Sequence, residues 1–200
     1  LPDHKYVINF CDSRYDFTVA FLAALLRGQV NLLLPGRSPE FLAAAIEELE
    51  DVYVLSSGIS GGTSVSQFDI GSVARDGVDS HNALLFSGDH EATRVYTSGT
   101  TGASCGISKT VSNLAGGAQI NARILDQALG TTSAYLVATV PPWHMYGLEW
   151  SVLAPMFSNH KVFSGATLFP QDISDALGRY SATSCLISTP YHLRALVRSR

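Results

Sequence analysis

Apolar positions along the chain alternate between short continuous runs and stripes at helical spacing. Residues 5–11, Lys-Tyr-Val-Ile-Asn-Phe-Cys, read as a buried strand. Asp12 and Ser13 offer an N-cap, and Asp16 follows Ser13 by three in the manner of a capping box. Phe17, Ala20, Phe21, Ala24 and Leu25 recur on one helical face, and Gly28 is placed to end that helix. Leu32, Leu33 and Leu34 form a second strand. Ser38-Pro39-Glu40 starts a second helix with Pro in its first turn, and Leu42, Ala45, Ile46 and Leu49 are its buried stripe. Residues 52–55 are a third apolar strand. Strand, helix, strand, helix, strand in that order predicts parallel pairing with right-handed crossovers. Helices over the sheet allow its strands to be apolar on both faces.

The pattern then loosens. Residues 56–66 are rich in Gly and Ser, residues 64–70 alternate, and residues 74–82 are polar, so this span reads as loop with short strands. Residues 83–86 and 93–96 are strand-like, and residues 107–111 read as another strand. A helix is expected to begin near Ser112 or Asn113, with Leu114, Ala118, Ala122, Leu125 and Leu129 on its apolar side and Gly130 at its end. Residues 135–140 are a central strand stopped by Pro141 and Pro142. A helix is expected over 148–157 and a short strand over 161–163. Asp172 is expected to cap a helix with Ile173, Leu177 and Tyr180 inward. A strand over 185–188 and a helix from Thr189-Pro190, with Leu193, Leu196 and Val197 inward, complete the chain. The fold class is α/β: mostly parallel sheets flanked by helices, in two lobes of βαβ type. Residues 1–88 are expected to form the first lobe with its trailing loop, and residues 89–200 the second.

Composition narrows the function. Of 200 residues, 46% are hydrophobic and 15% charged, which places the chain among well-buried globular proteins. The net charge of −4 and the lack of any basic run argue against nucleic acid as a partner. Three scattered cysteines, Cys11, Cys105 and Cys185, fit reduced thiols and a cytoplasmic setting better than a disulfide framework. No Cys-x-x-Cys or His-x-x-x-His pair points to zinc. No apolar run approaches the roughly 18 residues that a membrane span requires. The chain begins without Met and stops inside a predicted helix, so it is expected to be part of something longer.

Candidate chemistry concentrates after residue 96. Thr97, Ser98, Gly99, Thr100, Thr101 and Gly102 combine hydroxyls with Cβ-free positions. Free N–H groups in such a loop hold anions, hydroxyls add donors, and a hydroxyl such as that of Thr100 can face a metal ion. Lys109 follows. The Walker pattern fails, because Ser104 and Cys105 stand where it needs Gly and Lys. Gly58-Ile59-Ser60-Gly61-Gly62 matches the Gly-x-Ser-x-Gly elbow of serine hydrolases, but the elbow needs a helix after it and residues 63–68 have strand propensity. A serine hydrolase using Ser60 therefore stands as an alternative, beside a non-catalytic nucleotide-binding or interaction module.

Tyr96 to Gly102, Tyr-Thr-Ser-Gly-Thr-Thr-Gly, resembles the phosphate-binding signature of the adenylate-forming superfamily, which includes acyl-CoA synthetases and adenylation domains. Pro141-x-x-His144-x-x-Gly147, about forty residues on, resembles that family's second motif. The resemblance implies ATP-dependent activation of a carboxylic acid: an acyl-adenylate forms, then a thioester on CoA or an acyl carrier protein. It implies that residues 97–102 contact the β- and γ-phosphates of ATP, with Mg²⁺ near Thr100, and that the loop joins two antiparallel strands. It places His144 beside the reacting carboxylate, with Trp143 and Tyr146 flanking. The usual lysine of the family's Pro-Lys-Gly is replaced by Cys105, and Lys109 is the candidate substitute. The adenine and ribose motifs, the Mg²⁺-binding Glu and the C-terminal lid with its lysine lie later in relatives. This span alone is therefore expected to be inactive or nearly so.

Overall fold

The computed structural model of the chain describes residues 1–58, 65–73, 85–96, 106–165, 167–180 and 183–198. It forms two compact units, Leu1–Ser112 and Asn113–Arg200.

The first unit is organised on a six-stranded sheet of order β4-β3-β1-β2-β5-β6. Its strands are β1 (Tyr6–Asn9), β2 (Val30–Leu33), β3 (Val52–Ser56), β4 (Gln67–Asp69), β5 (Glu91–Tyr96) and β6 (Gly106–Thr110). All neighbours are parallel except β5 and β6. Helix α1 (Arg14–Leu26) links β1 to β2, and α2 (Pro39–Glu48) links β2 to β3. The chain steps one way from β1 to β2 and the other way from β2 to β3. With right-handed crossovers, that reversal puts α1 and α2 on opposite faces. The side chains divide by parity accordingly. Leu42 and Ala45 of α2 share a cluster with Tyr6, Ile8, Val30, Leu32, Leu34, Val52, Val54 and Tyr96. Val7, Leu33, Tyr53 and Leu55, of the other parity, are fully buried, as are Phe17, Ala20, Phe21 and Ala24 of α1. Two buried faces explain the near-continuous apolar strands.

Helix α1 starts and stops as its sequence predicts. Ser13 Oγ accepts the Asp16 N–H at 3.0 Å. Gly28 takes φ +70, a conformation that costs residues with a Cβ, and its N–H donates to the Leu25 carbonyl at 3.0 Å.

The second unit holds a three-stranded parallel sheet of order β8-β7-β9: β7 (Tyr135–Ala138), β8 (Lys161–Val162) and β9 (Ser184–Ile187). Helix α3 (Val111–Leu129) buries Leu114, Ala118, Ala122 and Leu125, and Gly130 with φ +63 follows its end. After β7 come α4 (Met145–Leu148), a π turn (Glu149–Leu153) and α5 (Ala154–Met156). The expected helix over 148–157 thus begins earlier and is not uniform. Pro155 lacks the N–H of a regular turn and its ring crowds the carbonyl four residues back, which gives the widened turn before it a cause. Ser151 also bonds back to the Gly147 carbonyl at 2.5 Å.

Other expectations need correction. The helix expected to be capped by Asp172 is α6 (Pro170–Gly178), and Phe169 is its N-cap. Asp172 sits in its first turn, where its carboxylate accepts the Phe169 N–H at 3.0 Å. Ile173 is buried as expected, and Tyr180 stacks on Tyr135 with ring centroids 3.6 Å apart. In α7 (Pro190–Arg198) the apolar stripe is not inward: Leu193 is 43% and Val197 71% exposed, and no residue of the helix is buried. Leu85 and Phe86 are not strand, while residues 83 and 84 lie outside the described residues. Strands β5 and β6, beyond residue 88, pair into the first sheet.

Candidate functional site

In the first unit the antiparallel hairpin of β5 and β6 ends at the pair Tyr96–Gly106. The motif residues Thr97, Ser98, Gly99, Thr100, Thr101 and Gly102 lie between those two ends and outside the described residues, as do Cys105 and Ser60. The two strands that bracket the loop are antiparallel, as the resemblance implied.

The roots of the hairpin are closely held. A Cβ on Gly106 would come within 2.7 Å of Arg94 Cγ and Cδ and 3.0 Å of Tyr96 Cζ, so only glycine lets these two side chains lie across the strand. Arg94 donates to both Glu91 oxygens, at 2.9 and 3.0 Å. Burial would raise the Glu91 pKa, but the bonds from Arg94 and Ser108 outweigh it and hold the carboxyl below its ordinary value. The Tyr96 hydroxyl donates to Glu48 Oε1 at 3.2 Å. Burial first, then the Glu48 charge, pushes the Tyr96 phenol up to about 12, so it remains a neutral donor.

Lys109, on β6 three residues from Gly106, pairs with Thr93 of β5 and is half-buried. At strand rise that is ~10 Å from the open end of the hairpin. At the carboxyl ends of β1 and β2, Arg37 bridges Asp12 Oδ1 at 2.5 Å and the Cys11 carbonyl at 2.9 Å. Burial pushes the Cys11 thiol up to about 11, which makes it an inert core group.

In the second unit the motif Pro141-x-x-His144-x-x-Gly147 is a single turn at the carboxyl end of β7. The Pro141 carbonyl accepts the His144 N–H at 3.1 Å. His144 is the N-cap of α4, and its Nδ1 accepts the Tyr146 N–H at 3.3 Å. A Cβ on Gly147 would lie 2.0 Å from that same Pro141 oxygen, so glycine is required for the helix to fold down onto the strand end. Because Nδ1 accepts a backbone amide, the neutral ring carries its proton on Nε2, and the exposed imidazole presents an N–H donor outward.

Neighbouring hydroxyls gather at the same edge of the sheet. Thr139 Oγ1 and Ser188 Oγ, just past β7 and β9, are 2.9 Å apart, and Thr189 Oγ1 lies 3.0 Å from His192 Nδ1. Ligands of parallel sheets bind outside the carboxyl ends of the strands, and this is such an edge. Tyr146 and Trp150, tilted rings with centroids 6.2 Å apart, are half-buried against the cluster of Leu125, Leu136, Ala138, Ala154 and Ile187. The sequence signalled His144 by its motif, but not the Thr139–Ser188 or Tyr96–Glu48 pairs, which join positions far apart in the chain.

Among the described residues no group of three or more His, Cys, Asp or Glu side chains could hold a metal ion. No described helix is long and apolar enough to cross a membrane.

No curated protein matches the sequence. Among solved structures, the chain is similar to O-succinylbenzoate coenzyme A synthetase of Bacillus subtilis in complex with AMP, at 18% identity and a TM-score of 0.79, over 100% of this chain and 52% of that one. A structure of the same Bacillus enzyme in complex with ATP and magnesium ion gives 18% identity and 0.74, over 98% of this chain and 53% of that. Apo MatB of Rhodopseudomonas palustris gives 22% and 0.74, over 99% and 42%. These identities establish likeness of fold, that of the N-terminal domain of adenylate-forming enzymes, and the chain spans about half the length of the Bacillus enzyme. The family described as AMP-binding enzyme matches residues 3–200, nearly end to end, and the chain belongs to that family.

Proposed function

We propose that this chain serves ATP-dependent activation of a carboxylic acid. The observation that carries the reading is the family match over residues 3–200, within which both ordered motifs stand. In the reaction a carboxylate oxygen attacks the α-phosphorus of ATP. The bond from that phosphorus to the oxygen bridging the β-phosphate breaks, and pyrophosphate leaves. A thiol, on CoA or a carrier protein, then attacks the acyl carbonyl, and AMP departs.

Negative charge builds on phosphoryl oxygens, so donors and positive charge accelerate the step. Thr97, Ser98, Gly99, Thr100, Thr101 and Gly102 would hold the β- and γ-phosphates through hydroxyls and amides. Lys109 would add positive field along the hairpin. His144, with its proton on Nε2, would donate to an oxygen of the acid or the α-phosphate. Magnesium would arrive with the nucleotide, and Thr100 would be its protein contact. Acid-dependent exchange of labelled pyrophosphate into ATP, assayed on the natural full-length protein with alkyl, aryl and dicarboxylic acids, tests the reading. The expected result is exchange with at least one acid class and a loss of ~10²-fold or more in His144→Ala, as for other removed transition-state donors. Absence of exchange with every class would overturn it.

A further inference from the structure

We propose that Tyr96 and Glu48 are a positioning pair that sets the direction in which the chain leaves β5 toward the phosphate-binding segment. The inference deepens the function proposed above and rests on it. Tyr96 is the last paired residue of β5 and is 5% exposed. Its ring is held from three sides. Gly106 lies beneath it, with space for no Cβ. Arg94, fastened to Glu91, lies beside it over the same glycine. Glu48, the last residue of α2, accepts that hydroxyl's proton at 3.2 Å.

A phenylalanine would bury as much ring, so packing alone does not require the hydroxyl. Its bond to Glu48 fixes which way the ring points about its Cα–Cβ axis. It also ties the end of β5 to the last residue of the helix that leads into β3. Glu48 sits on an exposed surface and has no burial of its own to secure. Its remaining use is directional: it pins the phenol hydroxyl while the Arg94 stem packs beside the ring over Gly106, and together they clamp the side chain. The peptide after Tyr96 is the first of the motif, so the clamp holds the point from which the motif sets out. The role assigned to Tyr96 and Glu48 is therefore positioning, exerted through the segment that begins after Tyr96.

The test uses four variants of the full-length protein: Tyr96→Phe, Glu48→Ala, Glu48→Gln and the double Tyr96→Phe/Glu48→Ala. In pyrophosphate exchange, Tyr96→Phe and Glu48→Ala are each expected to raise KM for ATP about fivefold to tenfold, the size of one lost directional bond. KM for the acid and kcat should stay within about twofold, and the double variant should be no worse than either single, because the two act as one unit. Glu48→Gln keeps an acceptor oxygen and is expected to restore wild-type KM. Additive effects, an unchanged KM for ATP, or a uniform fall in every parameter together with Tm would overturn the inference. Amide hydrogen exchange provides a second readout. It should quicken across residues 96–106 in Tyr96→Phe and Glu48→Ala and remain unchanged in α1; equal exchange rates would overturn the inference whatever the enzyme assay shows. A wild-type protein without exchange activity would sink the proposed function, and the amide rates would then decide the positioning role alone.

Discussion

Substituting Gly147 by Ala tests whether the second motif is a packed turn. The added Cβ would stand 2.0 Å from the Pro141 oxygen and 2.8 Å from its carbonyl carbon, where ordinary contact begins at 3.4 Å. The strand end or the helix must therefore move by about 1.4 Å, the difference between 3.4 and 2.0 Å. Neither is a flexible side-chain tip. Overpacking of this kind costs about 1–3 kcal/mol. The same oxygen accepts the His144 N–H, and weakening that bond adds about 1 kcal/mol. Alanine's better helix propensity offsets about 1 kcal/mol. The net expectation is destabilisation by about 1–3 kcal/mol, and for a chain of this size each kcal/mol lowers Tm by about 2–4 °C. The control is built into the same unit. Gly116 and Gly117 lie inside α3, with nothing within 4 Å of where an alanine methyl would stand. Gly116→Ala and Gly117→Ala should each stabilise by about 0.4–1 kcal/mol. Urea unfolding of the three variants side by side decides the matter: Gly147→Ala as stable as Gly116→Ala would refute the close approach to Pro141. Exchange activity should also fall, by up to ~10²-fold, since a shift near 1 Å in a donor's position is enough.

Two further outcomes follow from polar contacts. Asp51 accepts from His4 Nδ1 at 2.7 Å and from the Lys5 N–H at 2.7 Å, and these bonds, His4 first, hold its carboxyl below the ordinary value. A depressed carboxyl pKa contributes stability above the unfolded value and loses it as pH falls through the folded one. Wild type should therefore melt above Asp51→Asn at neutral pH, and the gap should close in acid; a gap independent of pH would contradict the assignment. His160 is buried, its Nδ1 accepts the Ala134 N–H at 3.0 Å, and its Nε2 lies 3.1 Å from Asp126 Oδ1. His160→Leu strands a buried amide, so a loss of about 1–3 kcal/mol in urea unfolding is expected; a change within about 0.5 kcal/mol would refute it.

The helix stripes were legible because their cause is local. Phe17, Ala20, Phe21 and Ala24 are all fully buried, and Ser13 and Gly28 bound α1 where their chemistry demands. Pairing partners were not legible. That β5 lies against β2 rather than opening a second lobe depends on registers such as Asn31–Thr93, 62 residues apart in sequence and absent from any local window. Periodicity also misleads at α7, where the stripe of Leu193 and Val197 is real but nothing among the described residues buries it. The pattern records which face is apolar, and only tertiary contact decides whether that face is buried.

The two motifs differ in the same way. Their letters are readable, but the reason for the spacing in Pro141-x-x-His144-x-x-Gly147 is visible only in three dimensions. One carbonyl, that of Pro141, takes the amide of the residue three positions on and lies under the Cα of the residue six positions on. The two three-residue steps thus bring the His144 amide and the Gly147 Cα to the same oxygen. The histidine then caps the helix with Nδ1, and its other nitrogen is turned outward as a donor. Glycine is present for the close approach, proline to end the strand, and histidine for the one group that faces solvent. A substitution at either flanking position should therefore act on His144 without touching it. Pro141→Ala, which keeps the carbonyl, is expected to be milder than Gly147→Ala, which displaces it; the reverse order in exchange rates would show that the turn is held from the strand side instead.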